Sequence, residues 1–152
     1  MRASGNTLVA GPKSLSDAIK NPQTFYTRDN YDWCSTNYKN LWTGKEYSTD
    51  ADVESNNMFK TIYDPSPVGY KVPGPKAFAG FTSDDIADFF MPTGYVKRSD
   101  GVKHDSGGLY FWTAITDEYT YRGRSFKGSM STAAPNANNK SEGFAVRPVT
   151  EY

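Results

Sequence analysis

Cysteine and histidine are almost absent from this chain, which holds one of each, Cys34 and His104. A single thiol excludes an internal disulfide, and a single imidazole excludes a multi-histidine metal centre and any dyad that needs two. Cys34 is expected as a small buried hydrophobe and His104 as an exposed loop residue. Net charge is missing too. Seventeen basic and seventeen acidic residues cancel, which leaves no electrostatic footprint for nucleic acid and no Lys/Arg cluster for an anionic membrane surface. No apolar run approaches the length of a membrane span, and the opening "MRASGNTLVAGPKS" lacks the apolar stretch of a signal peptide. The expectation is one soluble domain over residues 1–152, with no membrane insertion of its own and no nucleic-acid partner.

Aromatic residues are plentiful where aliphatic ones are scarce: eleven Tyr, nine Phe and three Trp, beside thirteen Gly and nine Pro. Such a composition predicts a loop-rich fold with a core of rings. Two short helices are expected. "SLSDAIKNP" has Ser14 and Asp17 at capping-box spacing, with Leu15, Ala18 and Ile19 on one face and Pro22 as the stop; "TSDDIADFFMP" repeats the device with Thr82, Asp85 and Pro92. Between them lies a polar region with isolated aromatics, read as a long packed loop anchored by Trp33, Leu41 and Trp42.

Pro65, Pro67, Pro73 and Pro75 stiffen "TIYDPSPVGYKVPGP" and leave room for a strand only at Gly69–Val72. After Pro92 the pattern becomes that of strands: "GYVKRSDG" turning at Asp100–Gly101, then "GLYFWTAI", "YTYRGRSFKG" and a closing "EGFAVRPV". Their spacing predicts an antiparallel sheet, and "APNANNKSEG" reads as a loop. The fold class expected is α+β.

Motifs for chemistry are sparse. Asp50, Asp52 and Glu54 imitate the start of a calcium loop, but its sixth position is Ser55 instead of Gly and its twelfth is Thr61 instead of Glu. Ser125 in "GRSFKG" lacks the spacing of a nucleophile elbow and falls in a strand pattern. No catalytic residue, metal ligand or cofactor is expected.

The stretch "KTIYDPSPVGYKVP", followed by a helix, "GGLYFWTA" and a terminal "EGFAVRPV", resembles a group of Bacteroidetes surface domains with a C-type-lectin-like fold. Typical members carry K-T-I-Y-D-P-C-P-x-G-Y-R-V-P and end in G-F-S-V-R-C-V. The likeness runs from about Leu15 to Val149, and two cysteine positions of the group are Ser66 and Pro148 here. These domains occur at the tips of fimbria-like and lipoprotein adhesins, and as variable proteins of diversity-generating retroelements in gut bacteria and their phages. The resemblance implies a C-type-lectin-like frame with two short helices, long loops and a small antiparallel sheet, its core drawn from Phe78, Phe81, Phe89, Trp112, Phe126 and Phe144. It implies a non-enzymatic module on a cell surface or phage virion, part of a larger assembly, that binds a protein or glycan ligand.

The candidate ligand surface is Tyr110, Thr113, Thr116, Asp117, Glu118, Tyr119, Tyr121, Arg122 and Arg124, where Tyr, Arg and acidic side chains have the chemistry of binding hot spots. In an alternating strand about half of them must face inward, and Tyr110 or Tyr121 can be core rings. If that segment is structural, the binding face is to be sought in the loops between Asp29 and Asn57. A calcium-independent lectin or fimbrial adhesin tip is the alternative. Calcium-dependent sugar binding is disfavoured, because "APN" at Ala134–Asn136 only partly matches the Glu-Pro-Asn motif of sugar-binding lectins. An enzyme of the formylglycine-generating type shares that fold but relies on cysteines that this chain lacks.

Overall fold

A computed structural model of the chain describes residues 7–27, 32–36, 38, 41–44, 59–78, 80, 82, 84–85, 92–104, 107–117, 122–129 and 133–151. In chain order these residues form β1 (Thr7–Ala10), α1 (Leu15–Lys20), β2 (Thr24–Thr27), β3 (Tyr70–Lys71) and a 3₁₀ turn at Pro75–Phe78. Six strands follow: β4 (Tyr95–Val96), β5 (Lys103–His104), β6 (Gly108–Thr116), β7 (Arg122–Ser129), β8 (Ala133–Asn139) and β9 (Val149–Thr150).

The expected C-type-lectin-like α+β architecture is corrected by this arrangement. The fold is mostly small sheets, with β1–β2 parallel, β3–β9 and β4–β5 antiparallel pairs, and one three-stranded sheet in the order β6-β7-β8. Helix contributes little, for a physical reason. The capping box forms as expected, with Ser14 Oγ accepting from Asp17 N–H at 3.1 Å and Asp17 Oδ2 from Ser14 N–H at 3.1 Å. Yet α1 is six residues long, contains no buried residue and leaves Ile19 59% exposed, so it cannot act as a layer of the core. At the second capping box Asp85 Oδ2 accepts from both the N–H and the hydroxyl of Thr82, while the apolar stripe of that expected helix, and the core rings Phe81 and Phe89, fall outside the described residues.

The sheet is built on β6, where every residue from Gly108 to Ile115 is buried. Alternation sends Leu109 and Phe111 to one side, where they meet Phe78 from the 3₁₀ turn and Phe126 from β7. Tyr110 and Trp112 face the other way, into a stack with Tyr95 and Phe144; the Trp112–Phe144 centroids lie 4.6 Å apart. Rings thus cover both faces of one strand, as the composition predicts.

One edge of β6 pairs with β7. The other takes up the C-terminal segment, since Ala145 N–H donates to Tyr110 O at 3.0 Å and Trp112 N–H to Ala145 O at 2.9 Å. Gly143 in turn exchanges two 2.8 Å bonds with Val96, which brings the β4–β5 hairpin alongside. That hairpin turns through Gly101, at φ +64°, where the Leu8 side chain occupies the space a Cβ would need.

Two stretches read as loops are strands. Ala133–Asn139 forms β8, in register with β7 from Gly128↔Ala133 to Arg122↔Asn139. Its place at the end of the β6-β7-β8 order tolerates Pro135, because an outer strand needs hydrogen bonds on one side only. The other is β2, at the start of the region between the expected helices; it pairs in parallel with β1, and both strands are four residues, too short for alternation to stand out.

Candidate functional site

The proline-rich elbow is organised by a buried ion pair. Asp64 Oδ1 accepts from Ser66 N–H at 2.7 Å and Oδ2 from Val72 N–H at 2.9 Å. The Lys60 ammonium lies 3.3 Å from Asp64 Oδ1 and donates to the carbonyls of Ser66 at 2.6 Å and Tyr70 at 2.7 Å. One lysine therefore serves carbonyls that the prolines turn inward, in the manner of a tethered cation. Thr61 Oγ1 donates to the Leu41 carbonyl, which ties this rigid elbow to the loop that carries Trp42.

That loop forms one wall of a cavity of about 410 Å³. Trp112, Thr113 and Thr116 of β6 line it from the sheet side, together with Phe144 and Val146 of the C-terminal segment. Phe25 and Tyr26 of β2, with Trp33, close the opposite side, and the Tyr26 and Trp33 rings stack at 6.3 Å and 18°. Ala18 and Asn21 reach it from α1 and its C-cap, and the exposed Tyr38 and Pro22 also line it. Gly123 of β7 gives the Trp112 ring its room, because a Cβ there would lie 3.0 Å from Trp112 Cζ3.

The charged groups beside the cavity are held in pairs. Lys140 Nζ contacts Asp32 Oδ2 at 3.2 Å and donates to the Tyr38 carbonyl at 2.6 Å. Asp32 also receives Cys34 N–H at 3.1 Å. Glu142 is gripped by Arg98 twice, through the backbone N–H at 3.0 Å and the guanidinium at 2.6 Å. Next to these carboxylates Cys34 is 3% exposed, and burial pushes its thiol above the usual range, with Asp32 adding to the rise. Burial first, and then the Glu142 charge, also raise the Tyr95 phenol.

The nine candidate ligand residues divide. Thr113 and Thr116 line the cavity. Thr113 is 3% exposed, and its hydroxyl donates to Arg124 O at 2.8 Å. Tyr110 is buried in the ring stack, with Lys127 Nζ 5.7 Å from its centroid. Asp117, buried, pairs with the Arg124 guanidinium at 3.1 Å and donates its N–H to Arg122 O, so these three close the β6–β7 turn. Glu118, Tyr119 and Tyr121 lie outside the described residues, as do Asp50, Asp52 and Glu54. His104 stacks on Tyr95 at 5.4 Å across β4–β5 instead of standing in a loop.

Sequence reasoning placed Trp33, Leu41 and Trp42 as loop anchors and missed the cavity they border. The available signal was the set of tryptophans: all three in the chain line this one space. Phe25, Lys140 and Glu142 carry no local signal.

Among the described residues, no group of three or more His, Cys, Asp or Glu side chains could hold a metal ion, and no helix is long and apolar enough to cross a membrane. Comparison of the chain with protein-family models, curated proteins and solved structures returned no match.

Proposed function

We propose that this chain is a non-enzymatic recognition domain that anchors a protein or glycan ligand in the ring-lined cavity between β6, the C-terminal segment and the Trp33–Trp42 loop. The observation that carries this reading is the convergence of all three tryptophans on one cavity of about 410 Å³. Interiors close-pack, so a space of this size bounded by rigid rings is the form of a ligand pocket and not of a core. The nucleophiles support the absence of catalysis. Ser125 is 1% exposed and accepts from Asn138 Nδ2 at 2.7 Å, and the Cys34 thiol is held protonated by burial.

Display on a cell surface or phage virion, within a larger assembly, follows from the motif resemblance. So does diversification of residues 113–139 by a retroelement, which a neighbouring reverse transcriptase with a near-identical template repeat would support. The direct test is to fill the cavity. Ala18→Phe adds a ring from α1 without removing a wall; it should abolish binding to ligand-bearing cells while the melting temperature holds. Undiminished binding by that variant would move the site elsewhere.

A further inference from the structure

Resting on that reading, we infer that the occupant is the neutral saccharide end of a glycan, bound without calcium. Two features of the cavity select this class. The first is the combination of flat ring pairs with uncharged hydrogen-bonding side chains. Trp112–Phe144 and Tyr26–Trp33 are near-parallel pairs, at 25° and 18°. Asn21, Thr24, Thr116 and Ser141 line the same space. A pyranose offers both complements, a face of C–H groups for a ring and an edge of hydroxyls for amides and alcohols. An aromatic peptide side chain matches the rings but brings at most one polar atom, the hydroxyl of Tyr or the indole N–H of Trp, where a pyranose brings several.

The second is that the charges are already committed. Lys140 is engaged by Asp32 and the Tyr38 carbonyl, and Glu142 by two donors of Arg98. An anionic or cationic ligand would have to compete with these part-buried pairs, whereas a neutral ligand leaves both intact. Glu142 is the only carboxylate among the described lining residues, and a lone arginine-held carboxylate does not make a calcium site. A cavity of about 410 Å³ suits a mono- or disaccharide end.

Because every tryptophan of the chain borders the cavity, intrinsic fluorescence reports its occupancy directly. The whole domain is titrated in EDTA with methyl glucoside, methyl galactoside, N-acetylglucosamine and cellobiose, and in parallel with glucuronate and N-acetyltyrosinamide. A saturable shift with at least one neutral sugar, unchanged on adding calcium and weakened about tenfold or more in Ala18→Phe, supports the inference. Silence to every sugar overturns it, as does a response confined to glucuronate or to N-acetyltyrosinamide. In those cases loss of cell binding by Ala18→Phe would leave the recognition function standing with another ligand, whereas retained cell binding would remove both.

Discussion

Asp64→Asn tests what the proline elbow is for. The carboxylate meets two backbone donors on different oxygens, Ser66 N–H at 2.7 Å and Val72 N–H at 2.9 Å, and its side chain is 1% exposed. An amide of the same shape has one oxygen to offer. Whichever way it turns, its NH₂ faces one of those N–H groups, and the Lys60 ammonium loses its countercharge. An orphaned buried donor costs about 1–3 kcal/mol, and a lost hydrogen bond to a charged group about 1.5–3 kcal/mol more. Together they predict a loss of about 2.5–6 kcal/mol, or roughly 5–24 °C in melting temperature for a chain of this size. Lys60→Met provides the partner measurement. Its side chain is 19% exposed and its ammonium also serves Ser66 O and Tyr70 O, so the two substitutions should couple by about 1–3 kcal/mol in a double-mutant cycle followed by urea denaturation. Because Thr61 joins the elbow to Leu41, Asp64→Asn should also shift tryptophan emission before global unfolding. A loss under about 1 kcal/mol with no coupling would refute the reasoning, since the prolines alone would then hold the elbow.

Phe126→Ala, which truncates a ring packed with Phe78, Leu109 and Phe111, should cost about 3–5 kcal/mol in a denaturant melt without altering the cavity, which none of these four residues lines. Native Cys34 should react with a thiol reagent far more slowly than the unfolded chain, and the rate should climb only at pH values above the ordinary thiol range, because burial raises its pKa. Asp17 and Asp85 are held below the ordinary value of 3.8 by the capping bonds from Ser14 and Thr82. A depressed folded-state pKa stabilises above the unfolded value and is lost as pH falls through the folded one, so melting temperature should drop below pH 3.8, and less so in Ser14→Ala and Thr82→Ala. Thermal melts with and without EDTA should overlay, since neither Glu142 nor the Lys60–Asp64 site leaves a place for a cation; a large loss on chelation would contradict this.

Much of the strand content was legible from local pattern. The run expected at Gly108–Ile115 and the gap between prolines at Gly69–Val72 became β6 and β3, and the turn at Asp100–Gly101 joins β4 to β5, because strand pattern and turn chemistry act over a few neighbours. The capping boxes formed for the same reason. Local pattern could not measure how much of a helix would be buried, and so it gave α1 an apolar face that the structure leaves uncovered; the motif resemblance pointed to an architecture that the sheets do not follow. It also took Ala134–Gly143, which holds most of β8, for a loop, since Asn and Pro disfavour strands except at an edge, and edges exist only once β7 is in place.

The candidate residues show the same divide. Composition alone established that rings would outnumber aliphatic anchors and that an internal disulfide and a multi-histidine metal centre are excluded. Which rings would pack together and which would border a space was decided in three dimensions. Lys140 meets Asp32 across 108 positions and Arg98 meets Glu142 across 44. Asp117 and Arg124, both among the ligand residues chosen from the sequence, pair with each other at the β6–β7 turn. A side chain's partner is set by the closure of long loops over a shared sheet, and no window of the sequence contains that distance.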